Sequence, residues 1–389
     1  MDSTKPLIMV ALSGGVDSAT TAWLLKQRGE NIQTMFMKNW EEEDASGHCS
    51  AEEDAADARA VAEQLGIAFH GRNFANEYWD EVFEHFLDEL KAGRTPNPDI
   101  LCNREIKFKA FLEHAIDLGA EFIATGHYAR RRDNADGSVS LLKGLDPGKD
   151  QSYFLHALTQ TQLQRALFPL GDLQKAEVRE LANQAGLSVA RKKDSTGICF
   201  IGERNFDHFI ARYLDAQPGE IRTTDDRVIG EHRGLIHYTL GQRKGLEIGG
   251  LKDFPEMPWF VASKDLEQNV LYVVQGGDDP HLLSTRLEAS AMNWISGTAP
   301  AAGQQLSAKV RYRQADQACT VLKADNQRLT LAFEHPQRAV TPGQSVVLYD
   351  GDVCLGGGVI EYSNAPLPRS MARRAAPTIA EEVITEVTS

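Results

Sequence analysis

Six residues, Ser13-Gly14-Gly15-Val16-Asp17-Ser18, constrain this chain more than any other stretch, because of what flanks them. Before them, Leu7 to Leu12 is a short apolar run of strand length; after them, Ser18 to Arg28 reads as a helix that stops at Gly29. A strand that ends in a Gly-Gly turn and feeds a helix is the opening unit of an α/β sheet. The alternation continues. Ile32 to Met37 reads as a second strand, and Ser50-Ala51-Glu52-Glu53 has capping-box spacing ahead of a helical stripe of Ala55, Ala58, Val61, Ala62 and Leu65 that Gly66 ends. Ile67 to Phe69 reads as a third strand. Trp79, Val82, Phe83, Phe86, Leu87 and Leu90 recur at helical spacing before Gly93. A further helix is expected from about Arg104 to Leu118, and a strand over Phe122 to Thr125. This order predicts a doubly wound parallel sheet covered on both faces, with ligands bound beyond the carboxyl ends of its strands. Ser13 to Ser18, Lys38 to Trp40 and Gly126-His127 each follow a strand, so all three are expected on one edge.

Beyond residue 130 the pattern changes. Asp136-Gly137 has the chemistry of a hairpin turn, and residues 160–186 return to helix. From about 220 onward short alternating segments dominate: Trp259 to Ser263, Val270 to Gln275, Ala308 to Tyr312, Cys319 to Lys323, Arg328 to Phe333, and Ser345 to Ile360 around an Asp350-Gly351 turn. These predict a small β-rich central domain and then a C-terminal β-barrel. The expected division is a catalytic α/β domain over 1–208, a central domain over 209–283, a barrel over 284–363 and a tail over 364–389 without a core pattern, expected to be disordered.

The loop at 13–18 is built for an anion. Its two glycines let the backbone approach a ligand closely, the following helix presents amides and the positive end of its dipole, and Ser13 and Ser18 add hydroxyls. Asp17 would repel phosphate on its own, which points to a magnesium ion as its partner. The loop lacks the lysine of a Walker-type site. It resembles the PP-loop of the N-type ATP pyrophosphatases, which split ATP into AMP and pyrophosphate while adenylating a substrate oxygen. GMP and NAD synthetases, asparagine and argininosuccinate synthetases and several RNA-modifying enzymes share such a loop, and the loop alone does not choose among them.

Charge and cysteine content narrow the choice without making it. The net charge of −14 opposes nucleic acid, yet Arg130-Arg131-Arg132, Arg191-Lys192-Lys193, Arg243-Lys244 and Arg311 with Arg313 form local basic clusters. Each cluster reads equally as a solvated face. The five cysteines are widely spaced and odd in number, with no Cys-x-x-Cys, which argues against a disulfide framework and against a zinc knuckle or cysteine-ligated iron–sulfur cluster. Cys102 stands just before the expected helix carrying Lys107 and Lys109, where a thiolate is favoured. Cys199, between Ile198 and Phe200, reads on its own as a small buried hydrophobe. The opening residues lack the apolar core of a signal peptide and no run approaches the roughly 18 apolar residues of a membrane helix, so a cytoplasmic protein is expected.

Taken together, several segments carry a specific resemblance. Phe36-Met37-Lys38-Asn39-Trp40, Gly93 to Asp99, Cys102-Asn103, Ala124 to Tyr128, Asp150 to Leu155, Lys193 to Gly202, His237 to Gly245, Val310 to Gln314 and Thr341 to Gln344 resemble the tRNA-specific 2-thiouridylases, the MnmA family, in order and over roughly residues 7–362. The resemblance implies a transferase that 2-thiolates the wobble uridine of tRNA at the expense of ATP, with Mg2+ accompanying the nucleotide. ATP would be held by Ala11, Leu12, Ser13, Gly14, Gly15, Val16, Asp17 and Ser18 together with Met37 and Gly126. Asn97, Pro98 and Asp99 would contact the target base, Asp99 serving as acid–base. Cys199 would carry a persulfide received from a sulfur-relay protein, and Cys102 would be the second catalytic thiol, the two pairing as a transient disulfide. His127, Lys149, Asp150, Gln151, Arg311, Tyr312 and Gln344 would touch tRNA, although His127 reads equally as a hydrogen-bonded structural histidine. The family further implies the anticodon arms of Lys, Glu and Gln tRNAs as partners and a monomeric protein. A PP-loop ligase acting on a small molecule would account for the loop but leave both cysteines idle.

Overall fold

The computed structural model describes residues 5–41, 50–194 and 206–375. Its first layer is the expected parallel sheet. β1 (Leu7–Ala11), β2 (Asn31–Lys38), β3 (Phe69–Asn73) and β4 (Phe122–Ala124) are followed by a hairpin, β5 (Ala129–Asp133) and β6 (Val139–Lys143), and by a short β7 (Ala166–Leu167). The sheet order is β3-β2-β1-β4-β7, all neighbours parallel, with Leu7 opposite Asn31 and Ile8 opposite Phe122. Alternation along β1 sends its side chains to two separate cores. Met9 and Ala11 pack with Tyr78, Phe83, Phe86, Ile106, Phe108 and Phe111 on one face. Ile8, Val10 and Leu12 pack on the other with Ala19, Ala22 and Leu25 of α1 (Val16–Gln27) and Ala58, Val61 and Leu65 of α2 (Ser50–Leu65). A strand buried on both faces needs a continuous apolar run, and each fully buried Leu, Ile or Met contributes about 1.5–3 kcal/mol.

Several local expectations shift for identifiable reasons. The third strand begins at Phe69 rather than Ile67, because the Ile67 amide closes α2 by donating to Ala62. The helix expected from Arg104 already begins at Pro98: Asn97 caps it through Asp99 N at 3.2 Å, with Pro98 in its first turn. It continues as a π-helical stretch over Cys102–Ala110 and ends as Phe111–Asp117, so Cys102 lies inside the helix and not ahead of it. The helix expected over 160–186 is divided. Gln160–Gln164 and Lys175–Gln184 are helical, but Ala166–Leu167 joins the parallel sheet and Pro169 prevents continuation.

The second sheet is small, with order β10-β11-β8-β9 formed by β8 (Gly219–Thr223), β9 (Val228–His232), β10 (Trp259–Asp265) and β11 (Val270–Gln275). The third is a closed antiparallel barrel of β12 (Leu283–Trp294), β13 (Gln305–Lys309), β14 (Gln317–Ala324), β15 (Leu329–Arg338), β16 (Ser345–Asp350) and β17 (Val353–Ser363), sealed by the β12–β17 pairing. The hairpin β5–β6 leaves the α/β layer and joins this barrel through β6 against β17, with Val353 opposite Leu142. That junction was not foreseen from sequence, nor were β8, β9 and β12. The segment expected to be a disordered tail is corrected over 364–375: Asn364 Oδ1 accepts from Thr285 N at 2.9 Å and Arg286 N at 2.8 Å, residues 369–375 are helical, and Arg374 pairs with buried Asp265. Among the described residues no helix is long and apolar enough to cross a membrane.

Candidate nucleotide and thiol site

β1, β2 and β4 run parallel, so their carboxyl ends share one edge, and the chain reverses order between β1 and β4. The loop after β1 emerges there, at the switch point of the sheet. Gly14 adopts φ +76° and is pressed so closely to α2 that an added Cβ would lie 2.3 Å from the Asp54 carbonyl oxygen. Gly15 is the N-cap of α1 and offers no side-chain acceptor, which leaves the first amides of that helix to face an external anion. Ser18 Oγ donates to Gly15 O at 3.0 Å, lies 3.2 Å from Ser13 Oγ and accepts from Ser13 N at 3.1 Å, drawing the loop into a closed turn. Gly126, after β4, approaches the same helix start: a Cβ there would lie 3.0 Å from Ser18 N. Ala11 and Leu12 are buried beneath the loop, Val16 is buried on the α1 side, and Met37 is partly buried at the end of β2. The loop is therefore a preformed cradle of amides and hydroxyls, and it fits a polyphosphate.

Asp17 has protein partners that sequence reading missed. Lys175 Nζ lies 2.7 and 2.8 Å from its two oxygens, and Tyr128 donates to it at 2.8 Å. Burial, reinforced by the Asp17 charge, raises the Tyr128 phenol well above its ordinary value, so it stays a donor. The network continues to Asp194, which pairs with Lys175 at 2.9 Å, Lys149 at 2.7 Å and Arg179 at 2.6 Å. Burial pushes the Asp194 carboxyl up, but the hydrogen bonds from Lys149 and Lys175 outweigh it and hold the group at about 2. Nothing local marks Lys175 in the sequence; it reaches Asp17 across 158 positions. Among the described residues no group of three or more His, Cys, Asp or Glu is placed to hold a metal ion.

The second half of the site is the helix that begins at Pro98. Its N-terminal turn presents Asn97, Pro98 and Asp99, and Cys102 follows one turn later with 1% of its surface exposed. Burial raises the Asp99 carboxyl above its usual range, with Lys107 opposing the shift, so Asp99 holds a proton to higher pH than a free carboxylate. Asn103 is buried and donates to Phe154 O at 3.2 Å. The two halves meet through His127, whose ring lies tilted against that of Phe108 of the same helix, centroids 5.8 Å apart, while Nδ1 lies 2.8 Å from Thr125 Oγ1. Its burial, with Lys107 nearby, lowers its pKa and favours the neutral imidazole. Lys109, expected beside Cys102, is instead tied to Glu105 at 2.7 Å.

Of the residues expected to touch tRNA, most are engaged within the protein. Asp150 is buried and accepts from Gly144 N and Ser152 N at 3.0 and 3.1 Å, and Gln151 Oε1 accepts from Tyr128 N at 3.0 Å. Arg311 donates to the carbonyls of Arg338 and Ala339 at 2.9 and 2.6 Å, and Tyr312 packs on Phe154 at 4.4 Å. Gln344 donates to Thr95 O at 2.7 Å. Within the basic cluster at 130–132, Arg130 bonds Lys143 O and Asp352 while Arg131 bonds three backbone carbonyls. Cys199 and Cys49 lie outside the described residues.

Comparison with known proteins gives a consistent result. Family models described as the tRNA methyl transferase HUP domain, the tRNA methyl transferase PRC-barrel domain and the Aminomethyltransferase beta-barrel domain match residues 6–203, 207–275 and 284–360. The chain is 60% identical over 365 residues to the tRNA-specific 2-thiouridylase MnmA of Pseudomonas fluorescens (strain SBW25), which covers 94% of this chain and 97% of that protein. It is 61% identical over 363 residues to the protein of that name from Pseudomonas syringae pv. syringae (strain B728a), covering 93% and 96%. Among solved structures, the U34-tRNA thiolase NcsA from Methanococcus maripaludis with its [4Fe-4S] cluster aligns over 47% of this chain and 58% of that one, at 19% identity and a TM-score of 0.31.

Proposed function

The chain belongs to the tRNA-specific 2-thiouridylase (MnmA) family, and from that premise we propose that it replaces the C2 oxygen of the wobble uridine, position 34 of tRNA, with sulfur in an ATP-consuming reaction. The observation that carries the reading is a closed anion cradle at Ser13–Ser18, beyond the carboxyl end of β1, together with a helix that presents half-buried Asp99 and buried Cys102.

A uracil C2 carbonyl resists substitution because its oxygen leaves poorly. ATP, with Mg2+, supplies an adenylyl group that makes this oxygen part of a good leaving group, AMP, and releases pyrophosphate. Ser13, Ser18 and the first amides of α1 hold the phosphates, while Lys175 cancels the charge that Asp17 would otherwise set against them. The uridine leaves its stack to reach Asn97–Asp99, as bases do in other base-modifying enzymes. Asp99, protonated more readily than an ordinary carboxyl, donates or accepts the proton that moves during exchange.

Sulfur arrives as a persulfide on Cys199, delivered by a relay protein. Its terminal sulfur attacks C2, and AMP departs. The Cys102 thiolate then attacks the Cys199 sulfur, breaks the S–S bond and leaves sulfur on the base with a Cys102–Cys199 disulfide behind. A thiol reductant restores both cysteines. Two separate thiols are required because one alone leaves the base attached to the enzyme. Lys149, Arg311 and Tyr312 lie on the surfaces that meet the anticodon arm, the protein acts as a cytoplasmic monomer, and its divisions fall at 208/209, 283/284 and 363/364. The test is incubation with unmodified Lys, Glu or Gln tRNA, ATP and a persulfide donor, followed by mass analysis of nucleosides. The reading expects 2-thiouridine at position 34 and equal amounts of AMP and pyrophosphate. ADP as the nucleotide product, or sulfur at another base, would contradict it.

A further inference from the structure

We propose that Lys107 is a catalytic residue for the first chemical step: its ammonium, set between Asp99 and His127, stabilises the negative charge that develops where the uracil oxygen meets the α-phosphate of ATP. The inference rests on the functional reading above and supplies the cation that its adenylation step needs.

The winding of the helix brings Lys107 to this place. From Cys102 to Ala110 it is a π-helix, closed by the Phe111 amide donating to Ile106 O five residues back. In an α-helix the residue stacked one turn beyond Cys102 would be Ile106; bonding from i to i+5 passes that position to Lys107. Ile106 accordingly lies in the core, fully buried, while Lys107 is half-buried. Long helical side chains lean back toward the N-terminus, so the Lys107 stem runs toward the turn that carries Asp99 and Cys102. Its charge acts on both sides of the junction. At Asp99 it opposes the rise that burial imposes on the carboxyl, and at His127 it adds to the fall that burial imposes on the imidazole. The next residue, Phe108, sets its ring 5.8 Å from that of His127 and 6.0 Å from that of Phe168, which fixes this stretch against the ends of β4 and β7. The other cations of the helix are held elsewhere: Glu105 takes Arg104 Nε at 2.6 Å and Lys109 Nζ at 2.7 Å.

The two groups that feel Lys107 belong to the two substrates. His127 follows Gly126, which is pressed against the nucleotide loop: a Cβ there would lie 3.0 Å from Ser18 N. Asp99 stands in the turn assigned to the base. A cation that acts on both lies where base and nucleotide must meet. In the adenylation step the uracil O2 forms a bond to the α-phosphorus, the bond from that phosphorus to the bridging oxygen breaks, and pyrophosphate leaves with the electron pair. The uracil N3 proton passes to the Asp99 carboxylate. Negative charge is redistributed over the phosphoryl oxygens as these bonds exchange, and an ammonium already held in place stabilises that state without reorganising. By opposing the rise of the Asp99 carboxyl, the same ammonium preserves the acceptor for the proton. His127, held neutral, contributes no competing charge.

The experiment is single-turnover pyrophosphate release by the full-length protein with ATP and unmodified tRNA, the persulfide donor withheld so that only adenylation is read. Lys107→Met keeps the length of the stem and removes the charge. The expected result is a saturating rate lowered about hundredfold, with half-saturation by ATP and by tRNA within about threefold of wild type. Lys107→Arg, which keeps a cation, is expected to stay within about tenfold of the wild-type rate. A wild-type rate in Lys107→Met would overturn the proposal. Normal pyrophosphate release with sulfur transfer lost once the donor is added would overturn it too, because Lys107 would then serve the thiol step. Raised half-saturation at an unchanged saturating rate would make Lys107 a ground-state contact, with the same consequence. Should Lys107→Met fail to fold, Lys107→Gln is read in the same way, a wild-type rate again overturning the proposal. Wild-type protein that releases no pyrophosphate with tRNA present contradicts the functional reading itself, an outcome separate from all of these.

Discussion

Asp17 occupies the first turn of α1, where a carboxylate suits the helix dipole but opposes a phosphate. Lys175 resolves that conflict at 2.7 Å, and at such distances a single charge near a protein surface is worth about 4 kcal/mol. Lys175→Met is therefore expected to raise the ATP concentration needed for half-maximal pyrophosphate release at least tenfold, while tRNA affinity measured by filter binding changes little. An unchanged ATP requirement would remove Lys175 from the nucleotide site. A second titratable group reports on the fold rather than the chemistry. His156 is buried, with Nδ1 2.8 Å from Tyr153 O, and burial holds its pKa down at about 4. The unfolded chain takes up this proton near pH 6.5 and the folded one does not, so the contribution is whole above about 6.5 and is lost as pH falls toward 4. The expected loss is roughly 3 kcal/mol, and in His156→Asn the acid slope of the unfolding midpoint between those limits should flatten. An identical slope in the variant would place the acid sensitivity elsewhere.

At the scale of elements, the loop between β1 and α1 was legible because its grammar is local: an apolar strand, two glycines, two hydroxyls and a helix lie within neighbouring residues. Gly14→Ala should break it, since the backbone is at φ +76° and the new Cβ would meet the Asp54 carbonyl at 2.3 Å. Strain of about 1–3 kcal/mol is expected, seen as an unfolding midpoint lower by a few degrees together with loss of ATP-dependent product. Retention of full activity would deny the loop its role. The start of the helix at Pro98 was also written locally, in Asn97-Pro98-Asp99, although the expected boundary, at Arg104, fell six residues further along. Strand β7 escaped notice because two residues carry no period, and its place is set by Ile123 and Ala124 on β4 rather than by its own composition. The partners of Asp17 and Thr95 were illegible for a related reason. They come from distant parts of the chain, and pairing at such separation depends on three-dimensional packing that no spacing rule encodes.

For the whole molecule, the arrangement of parts was readable as a sequence of patterns, parallel α/β, then short strands, then barrel, while their connections were not. Hairpin β5–β6 belongs to the α/β half by sequence and to the barrel by hydrogen bonding, and the segment 364–375 returns from the barrel to the central sheet. Arg374 there faces Asp265, which is 2% exposed, so Arg374→Met should leave a buried carboxylate poorly compensated and destabilise the central sheet by roughly 1–3 kcal/mol. Limited proteolysis should then cut within 219–275 before the barrel, and an unaltered cleavage pattern would show that the docked segment adds nothing. On the proposed reading these connections have a logic: the β domains hold the backbone at Gly93 and Thr95, just ahead of the turn Asn97–Asp99 assigned to the base. The measurement that tests this account most directly is transfer of labelled sulfur from a persulfide donor to unmodified tRNA, with and without ATP, in wild type, Cys102→Ala and Cys199→Ala. The account predicts transfer that requires ATP, with no label reaching tRNA from the Cys199→Ala protein, and label trapped in a protein–tRNA adduct for Cys102→Ala. Full transfer by either variant, or transfer without ATP, would contradict it.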